Sequence, residues 1–255
     1  MEKQPKRCRR RGEALIEAPV ILALVVLAVA LLIPVLASIR AASRRSQNQT
    51  QLRGLHIGSV TWSHLARRGL TNFSPFPGLS RRDLSPTPNG PKTSFAGSGS
   101  APAARIAQLM NGNFFTPEYV IAPADPHSSP AVRNDPAAHF RVTKDNFSYA
   151  MLGLEHDPSL RPEWRETQNG RAVVFADRAI GSDAGNVRSD WSDAAWTGDI
   201  VFNDNRVVRA NAPSLNDTQY VDHPANPTDH LFEDDPDAAD ALLVHDDAVT
   251  AYGQK

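Results

Sequence analysis

The sequence predicts an α+β fold, with one long N-terminal helix packed by its second half against a small antiparallel β-sheet. Three observations predict it. No charged residue occurs from Ala18 to Ile39. No proline interrupts the more polar stretch between Ile39 and Pro75. Beyond residue 118, short segments rich in β-branched and aromatic residues alternate with turn-forming ones.

The chain has 255 residues, enough for one sizeable domain with an appendage, although 20 prolines and 22% charged residues leave a modest core. The net charge of −1 hides a dipole. Lys3, Lys6, Arg7, Arg9, Arg10 and Arg11 crowd the start, whereas Asp217, Asp222, Asp229, Glu233, Asp234, Asp235, Asp237, Asp240, Asp246 and Asp247 face only Lys255 at the end. Cys8 is the only cysteine, so no intrachain disulfide can form.

The run from Ala18 to Ile39 can cross a hydrocarbon core of ~30 Å as a helix. It exceeds the apolar core of a secretory signal and lacks a small-x-small cut site at its far end. The denser basic cluster precedes the run, which puts residues 1–11 in the cytoplasm and the bulk of the chain outside. Pro19 lies near the helix start, where a missing N–H is tolerated, while Pro34 removes an internal hydrogen bond and predicts a kink. Arg40, Arg44 and Arg45 follow the run without interleaved aromatics, so they read as an interfacial anchor and not as a nucleic-acid surface. Leu52, Leu55, Trp62 and Ala66 recur at helical spacing. The helix is expected from Leu15 to Arg68, weakened locally by Gly54 and Gly58 and stopped at Gly69.

Residues 10–21, RRGEALIEAPVI, place one carboxylate, Glu17, at the edge of this apolar run. Glu17, Gly12, Leu15, Ile16 and Pro34 together resemble the prepilin-type N-terminus of type IV pilins and type II secretion pseudopilins. The resemblance implies cleavage after Gly12 by a prepilin peptidase, with Glu13 as the new, methylated N-terminus. Glu17 then becomes the fifth residue and Pro34 falls at the family's helix proline. The family pairs this carboxylate with a neighbouring subunit's N-terminal ammonium, a buried contact that fixes register. Glu13 departs from the usual Phe, and Pro19 is unusual so close to Glu17.

Residues 71–102 are rich in Pro, Ser and Gly and read as a loop. A short helix is expected at Ala103–Met110. EYVIAPAD reads as a strand ending at Pro123; FSYAMLG (147–153) and RAVVFAD (171–177) read as two more. Ile200–Phe202 and Val207–Arg209 flank an Asn203-Asp204-Asn205 turn, a hairpin signature. Pro123-Ala124-Asp125, Ser148-Tyr149-Ala150 and Asp177 resemble the pseudopilin-like proteins with a processing-associated C-terminal motif (DUF1559-like). The signature is degraded: Ala194 stands where that family has His, and the turn is Asp204-Asn205 where it has Asp-Gly. With the resemblance, the fold expected is pilin-like. Its parts are a leader (1–12), an assembly helix (13–39), its continuation (40–70), the loop (71–102), a β domain (103–210) and a flexible acidic tail (211–255). Within that tail a short helix is conceivable over Ala238–Asp247.

No Gly-x-Ser-x-Gly elbow, phosphate loop or dinucleotide fingerprint occurs, and the eight histidines fall in no catalytic spacing. An enzyme is not expected. Asp177, Asp183, Asn186, Asp190, Asp193 and Asp199 cluster in a Gly-containing region, so hard oxygen ligands for calcium are one reading and solvated turns the other. Zinc at His223, His230 and His245 lacks paired spacing. No other cofactor is expected. The leading reading is a pseudopilin-like subunit, single-pass in a bacterial cytoplasmic membrane, whose partners are a prepilin peptidase, other pilin or pseudopilin subunits and lipid. The competing reading is an uncleaved single-span envelope protein whose outward domain binds a ligand or calcium.

Overall fold

The computed structural model describes residues 14–66, 75–79, 101–132, 140–154, 157–180, 187–189, 195–233 and 243–245. The fold is α+β. Among the described residues, helix α1 (Ala14–Ala66) is followed by α2 (Pro102–Asn111) and by nine strands. These are β1 (Tyr149–Leu152), β2 (Val173–Asp177), β3 (Ala179–Ile180), β4 (Arg188–Ser189) and β5 (Gly198–Phe202). They continue with β6 (Val207–Ala210), β7 (Ser214–Leu215), β8 (Asp229–His230) and β9 (Leu243–Val244). The segments Met1–Ser46 and Gln47–Lys255 form two compact units.

Within the described residues the helix covers Ala14–Ala66 and continues through Pro19 and Pro34, while the expected end at Arg68 and stop at Gly69 lie outside the described residues. In the first unit, the large apolar side chains over 20–39 are 48–65% exposed. This stretch belongs to a helix long and apolar enough to cross a membrane.

In the second unit, a five-stranded antiparallel sheet runs in the order β6-β5-β2-β1-β9. Every residue of β1, β2 and β5 is buried. Near-continuous burial explains why their apolar runs alternate so little. The β5–β6 hairpin closes where the sequence predicts it, with Asn205 in the left-handed region at φ 66°. That conformation is one Asn tolerates.

Period two along the strands sends Phe175 and Asp177 of β2 to one face, and Asp199, Val201 and then Asn203 to the same face. The C-terminal part of α1 covers it. His56 meets Phe175 edge-on, and Leu52 and Leu55 are fully buried in the common core. Two expectations about α1 change here. Its sheet-facing stripe is Asn48, Gln51, Leu52, Leu55, His56, Ser59 and Ser63, so more than half of it is polar. Gly54 and Gly58 are also more than weak points. A Cβ on Gly54 would sit 1.9 Å from Tyr119 Oη, and one on Gly58 would sit 2.2 Å from Phe115 Cζ. Phe115 and Tyr119 stack 5.2 Å apart, and Tyr119 Oη donates to Thr50 O. The two glycines are the slots that let these rings lie against the helix backbone.

EYVIAPAD is not a strand. Pro117–Val120 forms a 3₁₀ turn, because Pro117 seats naturally at its first position and Pro123 lacks the N–H a ladder needs. The acidic segment after residue 210 also differs from a loosely draped tail. β7 pairs with β8, β9 adds an edge to the main sheet, and Tyr220, Leu231 and Leu243 are buried. Leu243 and Val244, the apolar spot of the short helix expected over Ala238–Asp247, are extended instead. Residues 234–242 and 246–255, with the loop 80–100, lie outside the described residues.

Candidate functional site

Of the residues expected to direct processing and assembly, Gly12 and Glu13 lie outside the described residues. Glu17 and Pro34 lie within α1.

Three polar clusters are built inside the second unit, and each uses residues far apart in sequence. The first joins α1 to β1, β2 and β5. Asn48 Nδ2 donates to Asp177 Oδ1 at 2.8 Å and to Asp199 Oδ2 at 2.9 Å. The Asp199 backbone N–H donates to Asp177 Oδ2 at 2.7 Å. Tyr149 Oη donates towards Asn48 Oδ1 and Gln51 Oε1, each at 3.1 Å. Gln49 Nε2 reaches Asp199 Oδ1 at 3.1 Å, and Arg209 lies 3.7 Å from Asp199 Oδ2. Both carboxylates are fully buried. Burial, then the neighbouring Asp199 charge, pushes the Asp177 carboxyl up to about 7 against the hydrogen bonds from Asp199 N and Asn48. Burial likewise pushes the Tyr149 phenol well up.

The second cluster joins two motifs picked out by the sequence resemblance. Asp125 accepts from Ser148 Oγ and Ser128 Oγ, each at 2.6 Å, and from the backbone N–H of His127 at 2.8 Å. Arg178 closes it at 3.1 Å from Asp125 Oδ2. Burial opposes ionisation of Asp125, but these donors together hold its carboxyl below the usual range. Ser148 Oγ in turn accepts from Ala122 N at 2.9 Å, which ties the 3₁₀ turn to β1.

The third cluster centres on Asn203, in the β5–β6 turn. His56 Nε2 lies 3.1 Å from Asn203 Oδ1. Asn203 Nδ2 lies 2.6 Å from Glu163 Oε1 and 2.8 Å from each of Glu163 O, Arg165 O and Thr167 Oγ1. Glu163 Oε1 also accepts from Thr167 Oγ1, while its Oε2 accepts from Val221 N at 3.0 Å. Burial lowers the His56 imidazole below its ordinary value, although Asn203 opposes the shift.

The first and third clusters are clamps in register. Asn48 and His56 are eight residues apart, about 12 Å along a helix. Asp199 and Asn203 are four residues apart, about 13 Å along a strand. The two lengths match, so a one-residue slip of α1 would break both clamps together.

As for metal, Asp177 has its oxygens committed to Asn48 and Asp199 N, while Asp183, Asp190 and Asp193 lie outside the described residues. Among the described residues no group of three or more His, Cys, Asp or Glu could hold an ion. His245 packs on Phe147 and contacts its carbonyl at 2.9 Å, so it belongs to the β1–β9 edge.

Sequence reasoning found Asp125, Ser148, Tyr149 and Asp177 but missed Asn48, His56, Glu163 and the role of Asn203. An apolar-periodicity count passes over all four. No family model, curated protein or solved structure matches the chain.

Proposed function

We propose that this chain is a pseudopilin-like structural subunit, processed by a prepilin peptidase and assembled through its N-terminal helix into a type II secretion or type IV pilus-like structure. One observation carries the reading. Helix α1 carries two stretches of different character: an exposed apolar one over 20–39 and a largely polar one over 48–63 that is clamped to an antiparallel sheet. Such a helix suits a subunit that waits in a membrane and later exchanges lipid for neighbouring helices, while the domain stays folded and faces outward.

In this reading the peptidase cuts after Gly12 and frees the amine of Glu13. Glu17, inside an apolar helix, is costly in lipid by roughly 2.5–3.5 kcal/mol, and an ammonium from a neighbouring subunit offsets that cost in the assembly. Pro34 lets the helix bend while packing. The domain supplies lateral or cargo contacts and no catalysis.

Assembly is tested by producing the wild type and Glu17→Ala with a complete pilus or secretion apparatus and separating sheared fibres from membranes. Wild type in the fibre fraction with Glu17→Ala confined to membranes supports the proposal. Equal partition of the two chains would remove Glu17 from the account.

A further inference from the structure

The third cluster contains the parts of an acyl-transfer site whose acyl donor is one of the protein's own side chains. Thr167 Oγ1 is a hydroxyl nucleophile in hydrogen-bond contact with a carboxylate oxygen, Glu163 Oε1. The same oxygen lies 2.6 Å from Asn203 Nδ2, and Nδ2 lies 2.8 Å from Thr167 Oγ1. One carboxylate oxygen therefore touches both the incoming hydroxyl and the amide nitrogen that would leave. On the other side of that amide, His56 Nε2 is 3.1 Å from Oδ1. His56 Nδ1 has no hydrogen-bond partner among the described residues, so the contact with an acceptor oxygen assigns the proton to Nε2. Glu163, His56 and Asn203 are at most 3% exposed, which keeps competing water away.

We propose that Thr167 and Asn203 are a cross-linking pair, the Thr167 hydroxyl displacing the Asn203 amide nitrogen to give an intramolecular ester. A modest rotation about Cβ–Cγ, a soft torsion, leaves Cγ in place and turns the face of the amide towards Oγ1. Glu163 takes the hydroxyl proton as the Oγ1–Cγ bond forms. The negative charge that develops on Oδ1 is met by the His56 Nε2–H. The Cγ–Nδ2 bond then breaks, the proton held by Glu163 passes to the departing nitrogen, and ammonia leaves. No oxidant, metal or second molecule is required. Fixing both reactants in one fold supplies an effective concentration of about 10⁵–10⁸ M, and a positioned base contributes roughly 10²–10⁴-fold. A donor at the oxyanion is worth about 10²–10³-fold. The product would bind the 163–167 segment to the β5–β6 turn covalently. This inference does not depend on the proposed function.

Intact-mass measurement of the full chain after folding and prolonged incubation is the test, followed by tryptic mapping. The expected chain is lighter by one ammonia, and the digest contains residues 166–171 joined to 189–206. Thr167→Ser retains the link. Thr167→Val and Glu163→Gln keep the full mass. A wild type at full mass with both peptides free overturns the proposal. So does an ammonia loss that persists in Thr167→Val, which would place the reaction between Asn203 and its own backbone.

Discussion

The buried Asp177–Asp199 pair makes a quantitative prediction about pH. Asp177 ionises at about 7 in the folded chain against 3.8 as its ordinary value. Between those limits the folded state holds a proton that the unfolded state releases. Stability from this group is therefore fully present below the unfolded value and is lost as pH rises through the folded one. About three pH units at about 1.4 kcal/mol each give a loss of up to ~4 kcal/mol. His56 acts in the opposite sense. Its lowered value means that the unfolded chain takes up a proton below about 6.5, so acidification costs stability there. Asp125, also lowered, acts only below about 3.8.

A difference curve separates Asp177 from these groups. Asp177→Asn keeps the shape and removes the titration. Urea unfolding of full-length wild type and variant in detergent, followed by the fluorescence of buried Trp164 and Trp196, gives that curve from pH 4 to 8. The variant loses one acceptor facing Asn48, a constant offset of about 1–2 kcal/mol. Against that offset, wild-type stability relative to the variant should fall by up to ~4 kcal/mol across the range. A flat difference curve, or one that rises with pH, would show that Asp177 is ionised throughout and that burial does not raise its carboxyl as the first clamp requires.

Further predictions follow from packing. Gly58→Ala drives a methyl into the Phe115 ring and should lower unfolding stability by about 1–3 kcal/mol, measured in the same urea assay. Asp125→Ala removes the carboxylate that gathers Ser128, Ser148 and Arg178, and should cost about 3–5 kcal/mol as a broken buried charge pair. His64→Ala, by contrast, removes a hydrogen bond to Glu166 whose histidine is half-exposed, and should change stability by less than about 1 kcal/mol. Deleting residues 243–255 removes β9 and exposes the β1 edge; amide exchange of Met151 and Leu152 should speed up while that of β5 changes little.

Much of the architecture is legible in the residues. A charge-free run and apolar spacing locate the one long helix that fills residues 14–66. β-branched and aromatic clusters locate β1 and β2, and an Asn-Asp-Asn turn locates the hairpin. What escapes is whatever depends on polar residues meeting across the chain. Asp177 and Asp199 resemble loop ligands in sequence. The β2–β5 register, with Ala176 opposite Ile200, makes them buried neighbours instead. Asn48 and His56 look like surface positions until the sheet supplies carboxylates and an amide at matching distances. The segment after 210 is misleading for a related reason. Tyr220, Leu231 and Leu243 are too widely spaced to signal structure, yet each is buried in the common core. EYVIAPAD has strand-like residues, but its prolines decide against a ladder.

N-terminal sequencing of the membrane-extracted chain, with and without an active prepilin peptidase, tests the central functional claim most directly. The account predicts a chain beginning at Glu13 only when the peptidase is active. A chain that still carries residues 1–12 under both conditions would contradict it, and the protein would then be a membrane-anchored domain that never enters a pilus-like assembly.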